Sequence, residues 1–176
     1  MLSSMIRRMY NRLHPPKRLN CRRRLWTKIL RELRKRGRGR RESGGFLLGR
    51  IEGTRRFIEN FMAYDDIDPN ALQGIIIFDA SRMDLVWAKC EAEGLQVIAD
   101  IHTHPGDHGQ SDVDQAHPMI PQRGHLALIV PNFADRTYRP GNLGLYEYQG
   151  RDGQPRPRET ICARERFRER DQRIYG

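Results

Sequence analysis

The chain has 176 residues, 32 Lys and Arg against 22 Asp and Glu, and a formal net charge of +10 at pH 7. That length fits one domain with appendages and is enough to bury a proper core, so no second catalytic domain is expected. No apolar run approaches the eighteen residues a membrane helix needs, and the start of the chain lacks the apolar stretch of a secretory signal.

The charge is unevenly placed. Residues 1–41 hold 16 Lys and Arg against one acid, residues 42–150 hold 8 against 16, and residues 151–176 hold 8 against 5. These shifts divide the chain into a basic leader (1–41), an acidic central domain (42–150) and a charged tail (151–176). Cys21, Cys90 and Cys162 are few, odd in number and widely spaced. That usage fits reduced thiols in a cytoplasmic protein and not a disulfide framework.

In chain order, Leu25, Trp26, Ile29, Leu30 and Leu33 recur at helical spacing within residues 22–36, with cations on the other face. An amphipathic helix is expected there, ended by Gly37 and the arginines after it. Gly44–Ile51 and Arg56–Ala63 read as a hairpin turning at Glu52-Gly53. Asp65–Gln73 reads as a polar loop and Gly74–Phe78 as a short strand. Ser81–Glu93 reads as a helix with Met83, Leu85, Val86 and Ala88 on its buried side, closed by Gly94. Leu95–Ile101 is apolar and β-branched enough for a strand, and Leu126–Val130 and Leu143–Tyr148 supply two more. Between those last two, Pro131–Asn142 reads as an exposed loop, either shaping substrate entry or merely connecting. The tail is expected to be helical from Glu159. The whole is a mixed α/β layout.

The chemistry concentrates between Ile101 and Asp114. Residues two apart on a strand point the same way, so His102 and His104 leave the strand end together. Pro105-Gly106 breaks the strand, and Ser111 opens a short helix whose first turn can bring Asp114 back toward the imidazoles. Two His and one carboxylate leave a fourth tetrahedral position for water, the open arrangement of a catalytic zinc. Such a cation lowers the pKa of water enough to supply hydroxide near neutral pH. Ser111-x-x-Asp114 also resembles a capping box with Asp in place of the usual Glu, a reading compatible with the first.

Taken together, His102-Thr-His104-Pro105, then Ser111-x-x-Asp114, with Glu42 upstream in Arg41-Glu42-Ser-Gly-Gly-Phe-Leu-Leu-Gly49, resemble the JAMM/MPN (JAB-domain) metalloprotease motif. The resemblance covers residues 42–148 and implies a single domain built on a cytidine-deaminase-like mixed sheet flanked by helices, here with a basic N-terminal helical arm. It further implies that His102, His104 and Asp114 bind Zn2+, that Glu42 takes a proton from water, and that Ser111 helps stabilise the oxyanion. Five residues separate Pro105 from Ser111, where the family usually has six, so an altered loop with its ligand kept is expected. Asp107 and His108 in that loop read as an exposed polar tip, His117 and His125 as packing or surface residues, and His14 as part of the leader.

The implied activity is hydrolysis of an amide bond at the C-terminus of a ubiquitin-like modifier, by a prokaryotic-type deubiquitinase-like enzyme. Substrates would be the modifier or its conjugates, with E1-like and E2-like proteins as pathway partners. The alternatives are a catalytically silent scaffold of the same fold, or a nucleic-acid-associated protein acting through the leader. For the leader's 16 cations, both an acidic protein partner and nucleic acid are candidates.

Overall fold

The computed structural model describes residues 18–73 and 75–150, and the backbone strand 167–170. Its elements are β1 (Arg18–Arg22), α1 (Arg23–Gly37), β2 (Gly44–Glu52), β3 (Arg55–Ala63), α2 (Tyr64–Ile67), β4 (Leu72–Gln73), β5 (Ile75–Ile76), α3 (Met83–Glu93), β6 (Gln96–Thr103), α4 (Asp112–Ala116), β7 (Leu126–Val130), β8 (Gly144–Glu147) and β9 (Phe167–Arg170). Seven strands form one mixed sheet in the order β8-β7-β6-β2-β3-β1-β9, and β4 and β5 form a separate two-stranded ribbon.

The expected hairpin is β2–β3, antiparallel, with Gly53 at φ 59° in its turn. Strand β2 pairs antiparallel with β6 on its other side, and β6 pairs parallel with β7. The crossover from β6 to β7 contains α4, so the candidate ligands lie at the start of that connection. Strand β6 is buried from Ile98 through Thr103, as a strand covered on both faces must be.

Opposite faces of the sheet carry two core clusters. One holds Leu19, Leu47, Ile58, Ala99, Ile101, Leu126, Leu128 and Val130, and receives Trp26, Ile29, Leu30 and Leu33 of α1. The other holds Phe46, Leu48, Tyr64, Ile67, Leu72, Val86 and Cys90, so it is covered by α2, the β4 segment and α3. The alternation of Phe46, Leu47 and Leu48 between the clusters is the period-two pattern of a strand sandwiched between layers. Four fully buried apolar side chains, at about 1.5–3 kcal/mol each, fasten α1 to the sheet. Trp26 Nε1 also donates to the Tyr138 carbonyl at 2.9 Å.

Helix α1 is therefore docked on the sheet, as its amphipathic pattern requires. It is preceded by β1, which sequence patterning did not announce and which pairs parallel with β3. Three further differences have physical causes. The polar stretch after β3 opens with a short helix, α2, because Tyr64 and Ile67 are anchored in the core while Asp65 and Asp66 bind Arg36. In α3 the buried stripe is Val86 and Cys90 with Met83 packed against it, whereas Leu85 is 48% exposed and Trp87 50%. Apolar residues surround that helix, so periodicity alone could not choose its inner face. The tail forms strand β9 beside β1 where a helix was expected from Glu159; residues 159–166 lie outside the described ones, as do His14 and Cys162. Among the described residues no helix is long and apolar enough to cross a membrane, and Cys21 and Cys90 are buried in different clusters.

Candidate metal centre

Asp100, His102 and His104 alternate onto one side of the sheet, while Ala99, Ile101 and Thr103 face the α1 layer. The side chain between the two histidines is thus an anchor. Thr103 Oγ1 accepts from Ser43 N at 3.0 Å, Thr103 N donates to the Ser43 carbonyl at 2.9 Å, and Ser43 Oγ donates to the Leu33 carbonyl at 2.7 Å. One buried serine ties the end of α1, the entry to β2 and the histidine strand together. The chain beyond β6 is held as firmly: His104 N donates to Val130 O, and Phe133 N donates back to His104 O at 2.8 Å.

The imidazoles converge. His102 Nε2 and His104 Nε2 lie 3.0 Å apart, Asp114 Oδ2 lies 3.2 Å from His104 Nε2, and Asp114 Oδ1 lies 3.4 Å from His102 Nε2. Both histidines are buried and Asp114 is half-buried. Donors bonded to a tetrahedral zinc at about 2.0–2.1 Å stand about 3.3 Å from one another. The triangle therefore has the dimensions and the donor chemistry of a three-ligand metal site, and its residues fit the ion.

Asp114 is brought there by the cap of α4. Ser111 Oγ accepts from Asp114 N at 3.2 Å and donates to Asp114 Oδ2 at 2.6 Å, and Ser111 N donates to the same oxygen at 2.8 Å. This is the capping box anticipated from the sequence, with Asp at its third position. It orients the carboxylate that faces the histidines. The short loop before it is gripped by β8: Tyr146 Oη donates to His108 O at 2.9 Å and accepts from Gln110 N at 3.1 Å. Asp107 turns onto its own loop, accepting from Gly109 N, and it is exposed, as is His117. Asp107, His108 and His117 are not in the ligand group.

Glu42 precedes β2, in which Gly44 is paired with His102. A Cβ on Gly44 would lie 2.5 Å from the Tyr64 ring, 2.6 Å from Ile101 O and 2.9 Å from His102 Cβ, so only glycine lets the backbone pass this close. Burial pushes the Glu42 carboxyl above the usual carboxylate range; the nearby His104 and His102 pull against that, and Asp114 adds to it. For Asp114, burial is outweighed by His102 and His104, which hold it far below the usual range.

Two partners of the site were not legible in the sequence. Asp100, only 2% exposed, has Oδ2 3.9 Å from His102 Nδ1 and Oδ1 2.6 Å from His125 Nε2. His125 is accordingly a buried partner of Asp100, where a packing or surface residue was expected. Burial and then Asp100 keep the Tyr64 phenol protonated well above its usual range. The available signal was an acid two residues before His102, which places it on the same strand face.

The Pro131–Asn142 segment is more than a connector. Asn132, Phe133 and Ala134 all adopt positive φ, between 51° and 56°, a conformation costing about 1–2 kcal/mol per residue. The strain is held by Ala134 and Tyr138 in the core and by backbone bonds from Asn132 N to Gly106 O and from Phe133 N to His104 O. The segment braces the loop that carries the histidines.

Known proteins agree with this architecture. The chain is 38% identical over 53 residues to the "probable metalloprotease y4jG" of Sinorhizobium fredii; the match covers 30% of this chain and 33% of that relative's length. The solution structure of protein DSY2949 from Desulfitobacterium hafniense superposes with a TM-score of 0.54 at 17% identity, covering 88% of this chain and 95% of the other, a likeness of fold. Residues 22–140 match the model of the prokaryotic homologs of the JAB domain, and the match takes in α1, the entire sheet from β2 to β7 and every candidate ligand. This chain belongs to the prokaryotic JAB-domain family.

Proposed function

We propose that the protein is a zinc-dependent peptidase that cleaves an amide bond at the C-terminus of a ubiquitin-like modifier, either in removing it from a conjugate or in processing its precursor. The reading rests on the triangle of His102, His104 and Asp114, whose donor spacings of 3.0–3.4 Å suit one ion. The family and the relative named a probable metalloprotease support the coarser part, metal-dependent peptide hydrolysis.

His102 and His104 through Nε2, with the Asp114 carboxylate, would hold the metal. Zinc, when bound, supplies a Lewis acid that makes water acidic near neutral pH. Glu42 then accepts the proton of the attacking water and returns it to the leaving amine. Its buried setting, which raises its proton affinity, suits that shuttle. Ser111 would donate to the oxygen that becomes negatively charged, giving up its 2.6 Å bond to Asp114. The preference for a ubiquitin-like substrate comes from the family resemblance, and E1-like and E2-like proteins would act in the same pathway.

The test is incubation of zinc-loaded protein with ubiquitin-like proteins bearing C-terminal extensions, read by mass spectrometry. Wild type should release the extension and carry about one zinc per chain. Glu42→Gln should keep the metal and lose about 10²–10⁴-fold in rate. His104→Ala should lose both. Equal zinc content in wild type and His104→Ala would overturn the ligand assignment, and undiminished cleavage by Glu42→Gln would overturn the base.

A further inference from the structure

We infer that the outer face of α1 is a docking surface for the phosphate backbone of a nucleic-acid duplex, bound without regard to sequence. Five of the six exposed cations of this helix, Arg24, Lys28, Arg31, Arg34 and Lys35, form one outer face. At 3.6 residues per turn they fall within an arc of about 120° and span about 17 Å. Trp26, Ile29, Leu30 and Leu33 fill the opposite side and are buried against the sheet, so docking of the helix fixes the cationic face outward.

Arg34 and Lys35 lie in the last turn, where cations suit the helix dipole, but the rest of this face gains nothing for the helix that carries it. Arg24 and Lys28, Lys28 and Arg31, Arg31 and Arg34, and Arg31 and Lys35 are like-charge neighbours at spacings that oppose helix formation. The first turn has no acid to favour the helix dipole. Among the described residues, the acids nearby do not relieve the face. Glu32, Asp65 and Asp66 all bind Arg36, whose guanidinium lies on the flank of the helix, at 3.5, 2.6 and 2.8 Å. The buried stripe suffices to dock the helix; among the described residues the outer cations have no acidic partner, and their charge complements an anion of matching extent.

The chemistry of the face selects the anion. It presents cations and no exposed apolar or aromatic side chain, whereas a protein interface is built around an apolar or aromatic centre. The indole of Trp26 is buried, so among the described residues this helix offers no aromatic platform for unpaired bases. A duplex carries one charge per about 1.7 Å of its axis, roughly ten over the length of this face, and asks only for cations. The histidines lie on the other side of the sheet from α1, so a bound duplex would leave the metal centre open.

The experiment is fluorescence anisotropy of the full-length zinc-loaded protein with two 20-base-pair DNA duplexes of unrelated sequence, titrated from about 50 to 300 mM salt. Both duplexes should bind equally, with log K falling linearly in log salt. Lys28→Gln/Arg31→Gln/Lys35→Gln should weaken binding at least tenfold at 100 mM salt, and shallow the slope by about 2.7, from about 0.9 per phosphate contact. Zinc content and circular dichroism should not change. Arg50→Gln/Arg55→Gln/Arg139→Gln removes the same net charge elsewhere and should bind nearly as wild type. The proposal is overturned if wild type fails to bind at 50 mM salt, if the α1 variant binds as wild type, or if both variants lose affinity equally. Displacement of the duplex by polyglutamate at lower charge concentration than by unlabelled duplex would also overturn it, in favour of an acidic protein partner.

Discussion

Asp100 and His125 are joined at 2.6 Å between Oδ1 and Nε2, both buried, and the other oxygen of Asp100 faces Nδ1 of His102 at 3.9 Å. A carboxylate that accepts the other ring N–H of a metal-binding imidazole fixes its tautomer and leaves Nε2 free to ligate, and Asp100 stands beside Nδ1 at a distance just beyond that bond. His125 in turn fixes the carboxylate. Asp100→Asn is expected to retain the fold and to lower zinc affinity about 10–100-fold. Competition with a chromophoric chelator measures this. An unchanged affinity would mean that His102 is oriented by its backbone alone.

Gly44 has no room for a methyl group between the Tyr64 ring, Ile101 O and His102 Cβ. Gly44→Ala must shift β2 or tilt His102, and overpacking of this kind costs about 1–3 kcal/mol. A lowered melting temperature together with weaker zinc binding is expected. Loss of stability with zinc affinity intact would show that the strain is absorbed toward Tyr64.

Ser111 both caps α4 and holds Asp114 through the hydroxyl bond of 2.6 Å. In the zinc-free protein, Ser111→Ala should cost about 1 kcal/mol, the usual value of an N-cap. If the hydroxyl also serves the oxyanion, kcat should fall about 10²-fold in zinc-saturated protein. Chemical denaturation and kinetics at saturating zinc separate the two. A normal kcat would leave the hydroxyl as a cap only.

The pH dependence of stability should change sign of slope with metal content. Burial alone would lower the pKa of His102, but Asp100 and Asp114 outweigh it and raise the value from 6.5 to about 9. A raised histidine pKa stabilises the fold fully below 6.5 and ceases to do so as pH climbs through 9. The zinc-free protein should therefore lose melting temperature between pH 7 and 10. Zinc held by His102 would take the neutral ring, so the loaded protein should be flat or rising near pH 7, where competing protons are leaving. Parallel calorimetric scans with and without a chelator test this, and identical profiles would refute it.

Much of this protein is written locally. The candidate ligand set follows from the two-residue period of β6 and from the short reach of a capping box, both properties of a few neighbouring residues. The hairpin, α1 and β7 follow from period and turn chemistry in the same way. What periodicity could not assign depended on partners distant in sequence. Strand β1 is short and rich in cations, and it is a strand because β3 supplies its hydrogen bonds. The inner face of α3 was chosen by the Phe46 and Tyr64 cluster beneath it. Asp100 and His125 are 25 residues apart, and Ser43 and Thr103 are 60 apart; each pair meets only because the parallel pairing of β6 with β7 and the antiparallel pairing of β2 with β6 set their registers. The sequence by itself determined which atoms could bind a metal, since that chemistry resides in side chains a few bonds from one strand end. Tertiary structure alone decided which buried groups orient them, because desolvation and hydrogen bonding across strands exist only once the sheet is closed.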